Sequence, residues 1–172
     1  VFMPNISEKN ELMAGRIADI AIHPQDDNLW YVAVGSGGVW KTENAGVTWT
    51  PVFDEQPSYS IGCVTIDPHN PHRVWVGTGE NVGGRHIGYG DGVYRSDDAG
   101  ATWRQVNEGL PAGVHRGRIG LDVSMSSPNI VYAFVDNYET AREAEEGATD
   151  AYGRPRGPII RGATLFRSDD GG

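Results

Sequence analysis

Apolar and polar residues alternate along this chain in short runs, and the runs recur in a fixed order. "IADIAI" (17–22), "IGCVTI" (61–66) and "IGLDVSM" (119–125) each read as a strand. Each is followed by a Pro/Asn/Asp turn: "HPQDDN", "DPHNPH", "SSPN". An aromatic-bearing strand comes next ("LWYVAV", "RVWVGT", "IVYAFV"), and then a third: "GVWKT", "GVYRS", "ATLFRS". Runs of β-branched and aromatic residues bounded by Gly, Pro, Asn and Asp are strand signals. In two units a fourth strand, "TWTPVF" or "TWRQV", opens at Trp49 or Trp103. Only "ETAREAEEG" (139–147) carries a helical pattern, enough for a turn or two.

The third strand of each unit runs into the same polar turn: "WKTENAGVTW" (40–49), "YRSDDAGATW" (94–103) and "FRSDDGG" (166–172). Thr42, Asn44, Gly46, Thr48 and Trp49 correspond to Ser96, Asp98, Gly100, Thr102 and Trp103, and the third copy supplies Ser168, Asp170 and Gly172. Asx side chains bond backbone donors in tight turns, and Gly takes backbone angles closed to other residues. These residues are therefore expected to be structural. Four antiparallel strands per unit with a period near 50 residues predict β-propeller blades. The expected fold is all-β, with about three blades of four strands, the last incomplete. Residues 15–53 form the first blade, 59–106 the second and 117–172 the third; 1–14 are a lead-in or the outer strand of a closing blade.

The spacing Ser/Thr-x-Asp-x-Gly-x-Thr-Trp resembles the Asp-box, or BNR, repeat of sialidases, xyloglucan-cleaving hydrolases, Vps10 domains and photosystem-assembly propellers. The fuller phrasing "GRIADIAIHP…GGVWKTENAGVTW…GTGE…GDGVYRSDDAGATW" is most similar to bacterial Vps10/sortilin-like proteins, often labelled glycosyl hydrolase. The resemblance implies a periplasmic or secreted protein. It fixes no function, because the same propeller hosts hydrolases and pure binders.

Three units do not close a propeller. The expectation is an N-terminal part of a ring of about six to ten blades, or an arc completed by another chain. Either leaves apolar faces and strand edges for a partner.

Composition narrows the partners. The 172 residues carry a net charge of −9, against the basic face that nucleic acid requires. No run of 18 apolar residues exists to span a membrane. The single Cys63 allows no intrachain disulfide and reads as core. No metal or cofactor is expected: "HNPH" (69–72) lacks further ligands, "SDDAG" lacks the alternating oxygens of a calcium loop, and "GTGENVGG" is followed by no helix.

Function is expected on the rim opposite the repeated turns, where two units carry insertions: "ENVGGRHIGYGD" (80–91) and 137–162. The first offers Glu80, Asn81, Arg85, His86, Tyr89 and Asp91, a set suited to polar ligand recognition. Alternatively Glu80 and Arg85 pair with each other while Gly83, Gly84, Gly88, Gly90 and Gly92 shape the loop. The second offers Tyr138, Arg142, Tyr152, Arg154, Arg156 and Arg161, either as a cap or partner contact or as a solvated loop.

The leading expectation is a non-catalytic binder of peptide, protein or glycan. One alternative is a glycoside hydrolase, which needs two carboxylates across one sugar bond; another is a structural subunit of a complex. The xyloglucan-cleaving relatives place an Asp before a Gly-Gly, in a pattern like "RTDIGG"; here "AVGSGG" (33–38) puts Gly35 in its place. The sialidase Arg-Ile-Pro signature is absent, since Ala18 follows Arg16-Ile17. Arg16 and Arg118 recur at the start of their units, with Ser60 in the equivalent place of the second, and read as architecture.

Overall fold

The structure, a computed structural model, describes residues 16–82, 86–88 and 90–172. The lead-in (1–14), Arg85 and Tyr89 lie outside these residues. The first unit is a four-stranded antiparallel sheet of β1 (Ile17–His23), β2 (Asp26–Val34), β3 (Gly38–Thr42) and β4 (Thr50–Pro51). The second joins β5 (Ile61–Ile66), β6 (Val74–Thr78), β9 (Val93–Ser96) and β10 (Arg104–Gln105) in the same order, with a hairpin of β7 (Glu80–Val82) and β8 (His86–Gly88) inserted between its middle strands. The third comprises β11 (Arg116–Val123), β12 (Val131–Arg142) and β13 (Ile159–Ser168). The chain is all-β, a partial propeller, with no α-helix among the described residues.

The helical expectation for 139–147 is corrected. Residues to Arg142 extend β12, pairing Thr140 with Ile160 and Arg142 with Ile159. Sheet hydrogen bonds and a neighbouring strand outweigh the modest intrinsic preference of Glu, Ala and Arg for helix. The insertion 80–91, expected as a loop, holds the β7–β8 hairpin.

Alternation explains the core. Tyr31, Ala33 and Val39 of unit one pack against Ile61, Val64, Val74, Val76 and Tyr94 of unit two. The opposite face of unit two gives Trp75 and Val93 to Ile119, Val131, Ala133 and Val135. The outward face of the third sheet leaves cross-strand partners Phe134 and Leu165 54% and 63% exposed. Cys63 is in the core, its Sγ donating to the Ile119 carbonyl at 3.3 Å, and burial pushes its thiol up to about 12.

Where inner strands meet, glycine permits close approach. A Cβ on Gly77 would lie 2.5 Å from the Ile119 carbonyl oxygen, and one on Gly62 2.6 Å.

In its second and third copies the repeated turn joins its unit to the one before it. Within the turn, Ser96 Oγ donates to Asp98 Oδ1 (2.7 Å) and accepts from Gly100 N (2.8 Å). Asp98 also accepts from Thr102 N (2.8 Å) and Thr102 Oγ1 (2.6 Å). In the first copy Asn44 Oδ1 accepts from Thr48 N, but its amide donates to Thr48 Oγ1, both at 2.8 Å. The threonine hydroxyl thus reverses its role to suit Asp or Asn. Ala99 and Gly100 take successive left-handed angles (φ 57° and 88°); the glycine is what makes the second tolerable.

Across the unit boundary, Tyr31 Oη donates to the Ala99 carbonyl at 2.8 Å. Trp103 Nε1 donates to the Val52 carbonyl at 2.7 Å, and its ring meets Phe53 edge-on at 5.1 Å. One unit later, Arg95 Nη1 donates to the Gly171 carbonyl at 2.7 Å, and Gly172 lies against Trp75. The cation opposite each aromatic recurs: Lys41 sits over Tyr31, Arg95 over Trp75.

Hydrogen bonds from Thr102 and Ser96 hold the Asp98 carboxyl down to about 2, from an ordinary 3.8. The folded value is the lower, so this stabilisation is present above the ordinary value and is lost as pH falls from 3.8 towards 2. Asp98→Asn should keep the turn, as Asn44 does, and flatten the acid dependence of unfolding in that window. Chemical denaturation across the acid range reads this directly. An unchanged pH dependence would contradict the turn as the source.

Candidate functional site

In an antiparallel meander the start of the first strand, the end of the second and the start of the third share one rim. That rim carries Arg16, Gly35, Ser60 and the hairpin that opens at Glu80. Glu80 is 4% exposed and its carboxylate takes a hydrogen bond and an ion pair from Arg16, 64 residues earlier and one unit away. The Arg16 side chain is 47% exposed. Among the described residues the charge of Glu80 is met by Arg16; the alternative pairing with Arg85 falls on a residue outside them.

Gly35 completes this corner. A Cβ built on it would collide with the Glu80 carboxyl group, so the acid fills the volume a side chain at 35 would need. Backbone bonds tie the same corner together, Gly35 N donating to the Arg16 carbonyl (2.9 Å) and Gly79 N to that of Ser60 (2.8 Å). Ser60 Oγ donates to the Gly35 carbonyl at 3.1 Å. Gly88 lies against Ser60 so closely that no side chain would fit. Arg118, the second recurring arginine, turns inward and donates to the Gly62 carbonyl at 3.2 Å.

The other residues of the first insertion divide. Asn81 and His86 are in β7 and β8, where Asn81 pairs with Ile87 and His86 with Val82 along the backbone. Asp91 is half-buried and its carboxylate is engaged within unit two, accepting from Tyr94 Oη and from Gln105 Nε2 (2.7 Å). Burial first, and the Asp91 carboxylate second, push the Tyr94 phenol up to about 12. Arg116 Nη1 donates to the Asp91 carbonyl at 2.8 Å.

The second insertion rises from the same rim. Arg161 pairs with Glu139 at 3.2 Å, and Arg154 with Asp150 at 2.7 Å. A cavity of about 430 Å³ lies within residues 143–158, lined by Glu143, Glu145, Thr149 and Arg156 among others. No group of three or more His, Cys, Asp or Glu able to hold a metal occurs among the described residues. No helix among them is long and apolar enough to cross a membrane.

Sequence reasoning found Glu80 but not its partner. The signal for Arg16 was present as its recurrence in Arg118, yet the two arginines do different work.

Fold and rim together define a partial β-propeller with insertions on one face. Its similarities lie with glycoside hydrolases. Xyloglucanase Xgh74A of Acetivibrio thermocellus is 30% identical over 117 residues, covering 55% of this chain and 13% of its own. The xyloglucanase of Hypocrea jecorina is 27% identical over 128 residues, covering 69% and 15%. The chain thus spans less than a sixth of the length of these relatives. The GH74 xyloglucanase of Xanthomonas campestris superposes with a TM-score of 0.54 at 20% identity, over 90% of this chain and 22% of that one. The GH74 enzyme of Niastella koreensis gives 0.55 at 20%, over 91% and 21%. These superpositions show the fold. No protein-family model matches the chain.

Proposed function

We propose that this chain belongs to a propeller that binds a glycan through its insertion-bearing rim, and that the residues described here do not cleave it. The observation that carries the proposal is the state of Glu80. Its carboxylate is buried, ion-paired to Arg16 and packed against Gly35. An acid so engaged holds a guanidinium in place; it is not poised to exchange a proton with a sugar oxygen. Arg16, half-exposed in front of it, can offer N–H donors to ligand hydroxyls or carboxylates. The likeness to xyloglucanases favours a glucan over a peptide as ligand.

The repeated turns are assigned to architecture, since their side-chain bonds are internal or reach the preceding unit. Further blades complete the ring. A periplasmic or extracellular address and a receptor role of the Vps10/sortilin kind are finer parts of the same proposal, supported only by the sequence resemblance.

The second reading, a glycoside hydrolase, is favoured by the same relatives and would draw its carboxylates from other blades. Affinity electrophoresis separates binder from bystander. The full protein should be retarded in a gel containing xyloglucan and unaffected in one containing an unrelated polysaccharide such as dextran. Equal migration in both would refute glucan binding.

A further inference from the structure

We propose that the tip of the third unit's insertion is a carbohydrate-stacking subsite whose platform is the ring of Tyr152, with chemistry suited to the C–H face of a β-linked glucopyranose. The inference rests on the glycan reading above and adds a place and a residue to it.

Tyr152 is 83% exposed, the most exposed large hydrophobic side chain among the described residues. A lone exposed ring on a mobile loop would mean little. This loop, however, is knitted together. Asp150 Oδ1 accepts from Tyr152 N at 2.8 Å and Arg154 N at 3.0 Å, and Asp150 Oδ2 accepts from Arg154 Nε at 2.8 Å. Asp150 N donates to the Arg154 carbonyl at 2.8 Å, Arg156 N to that of Ala148 at 2.9 Å, and Thr149 bridges to Pro155. The Arg154 guanidinium lies 5.2 Å from the Tyr152 ring centre. A cation on one face of the ring fixes its orientation and leaves the other face open.

An ordered, one-faced aromatic is a platform rather than an anchor. A hot-spot side chain for a protein partner is a ring that enters a pocket among apolar neighbours. Here the side chains tied to the ring's turn are Asp150 and Arg154, a carboxylate and a guanidinium. An apolar plate flanked by a carboxylate and a guanidinium matches a pyranose, which has a flat C–H face and an equatorial belt of hydroxyls. Because the plate is already ordered, little conformational entropy is lost on binding.

The test is titration calorimetry of the full protein with xyloglucan oligosaccharides, comparing wild type with Tyr152→Ala, Tyr152→Phe and Tyr152→Trp. Circular dichroism should be unchanged in all, since the ring makes no core contact. Tyr152→Ala is expected to weaken binding about three- to tenfold, while Phe and Trp, which keep the stacking face, bind within about twofold of wild type. Wild-type binding that Tyr152→Ala leaves untouched would overturn the subsite and spare the glycan reading. Loss in Phe and Ala alike would place the contribution on the hydroxyl and overturn stacking. A wild type that ignores the oligosaccharides and binds a peptide library instead would overturn both.

Discussion

Arg16→Ala is expected to lower the free energy of unfolding by about 3 kcal/mol, measured by urea denaturation, and to cost clearly more than Glu80→Ala. The asymmetry follows from burial. Removing Arg16 strands a carboxylate that is 4% exposed and has lost the guanidinium that balanced its charge. Removing Glu80 leaves an arginine whose side chain is already 47% exposed and can be hydrated where it stands. Breaking a buried pair from its exposed side is the destabilising direction. The double variant should therefore be more stable than Arg16→Ala alone. Gly35→Ala belongs to the same corner: its new methyl group needs the volume of the Glu80 carboxyl, so its cost should shrink when Glu80 is also truncated. A Glu80→Ala protein less stable than Arg16→Ala would show that the carboxylate is hydrated and the corner open.

Trp103→Ala is expected to cost about 3 kcal/mol and to uncouple the first two units. Its indole donates to the Val52 carbonyl and packs on Phe53, both in the preceding unit. Phe53 in turn meets Tyr94 edge-on at 5.0 Å, so the aromatic chain crosses the boundary and returns. Truncation removes the ring from that chain and leaves the Val52 carbonyl without its indole donor. The equivalent Trp49 donates to the Gly46 carbonyl of its own turn and lies 6.4 Å from Trp30, within unit one. Amide hydrogen exchange distinguishes the consequences. Trp103→Ala should raise exchange on both sides of the boundary, in β3 and β9 together. Faster exchange confined to unit two would mean that the turn braces its own sheet and does not fasten units.

The repeat was legible because its determinants are local. Alternation within β2, β6 and β12, the Asx turns, and Gly46 and Gly100 at left-handed positions all act over a few residues. The same locality misled at 139–147, where a charged Glu/Ala/Arg run suggests helix, but Ile159 and Ile160 arrive from far along the chain to pair with it. The β7–β8 hairpin has little local signature because its strands, ENV and HIG, are three residues each. The pairing of Arg16 with Glu80 has no local signature at all. It exists because the inner strands of adjacent units bring residues 64 apart to one corner. Asp91 shows the converse: a carboxylate in a promising loop that is taken up by Tyr94 and Gln105.

These contacts separate two kinds of residue on the rim. Glu80 and Asp91 are held inside by partners from the sheets, while Arg16 and Tyr152 are presented outward.

The proposed role of Glu80 is to position Arg16, with no chemistry on a sugar. The most direct measurement is reducing-end release from xyloglucan over a prolonged incubation, comparing the full protein with its Glu80→Gln variant at equal folded concentration. No release by either, or identical release by both, is the predicted result. Release by the wild type that disappears in a folded Glu80→Gln protein would contradict it.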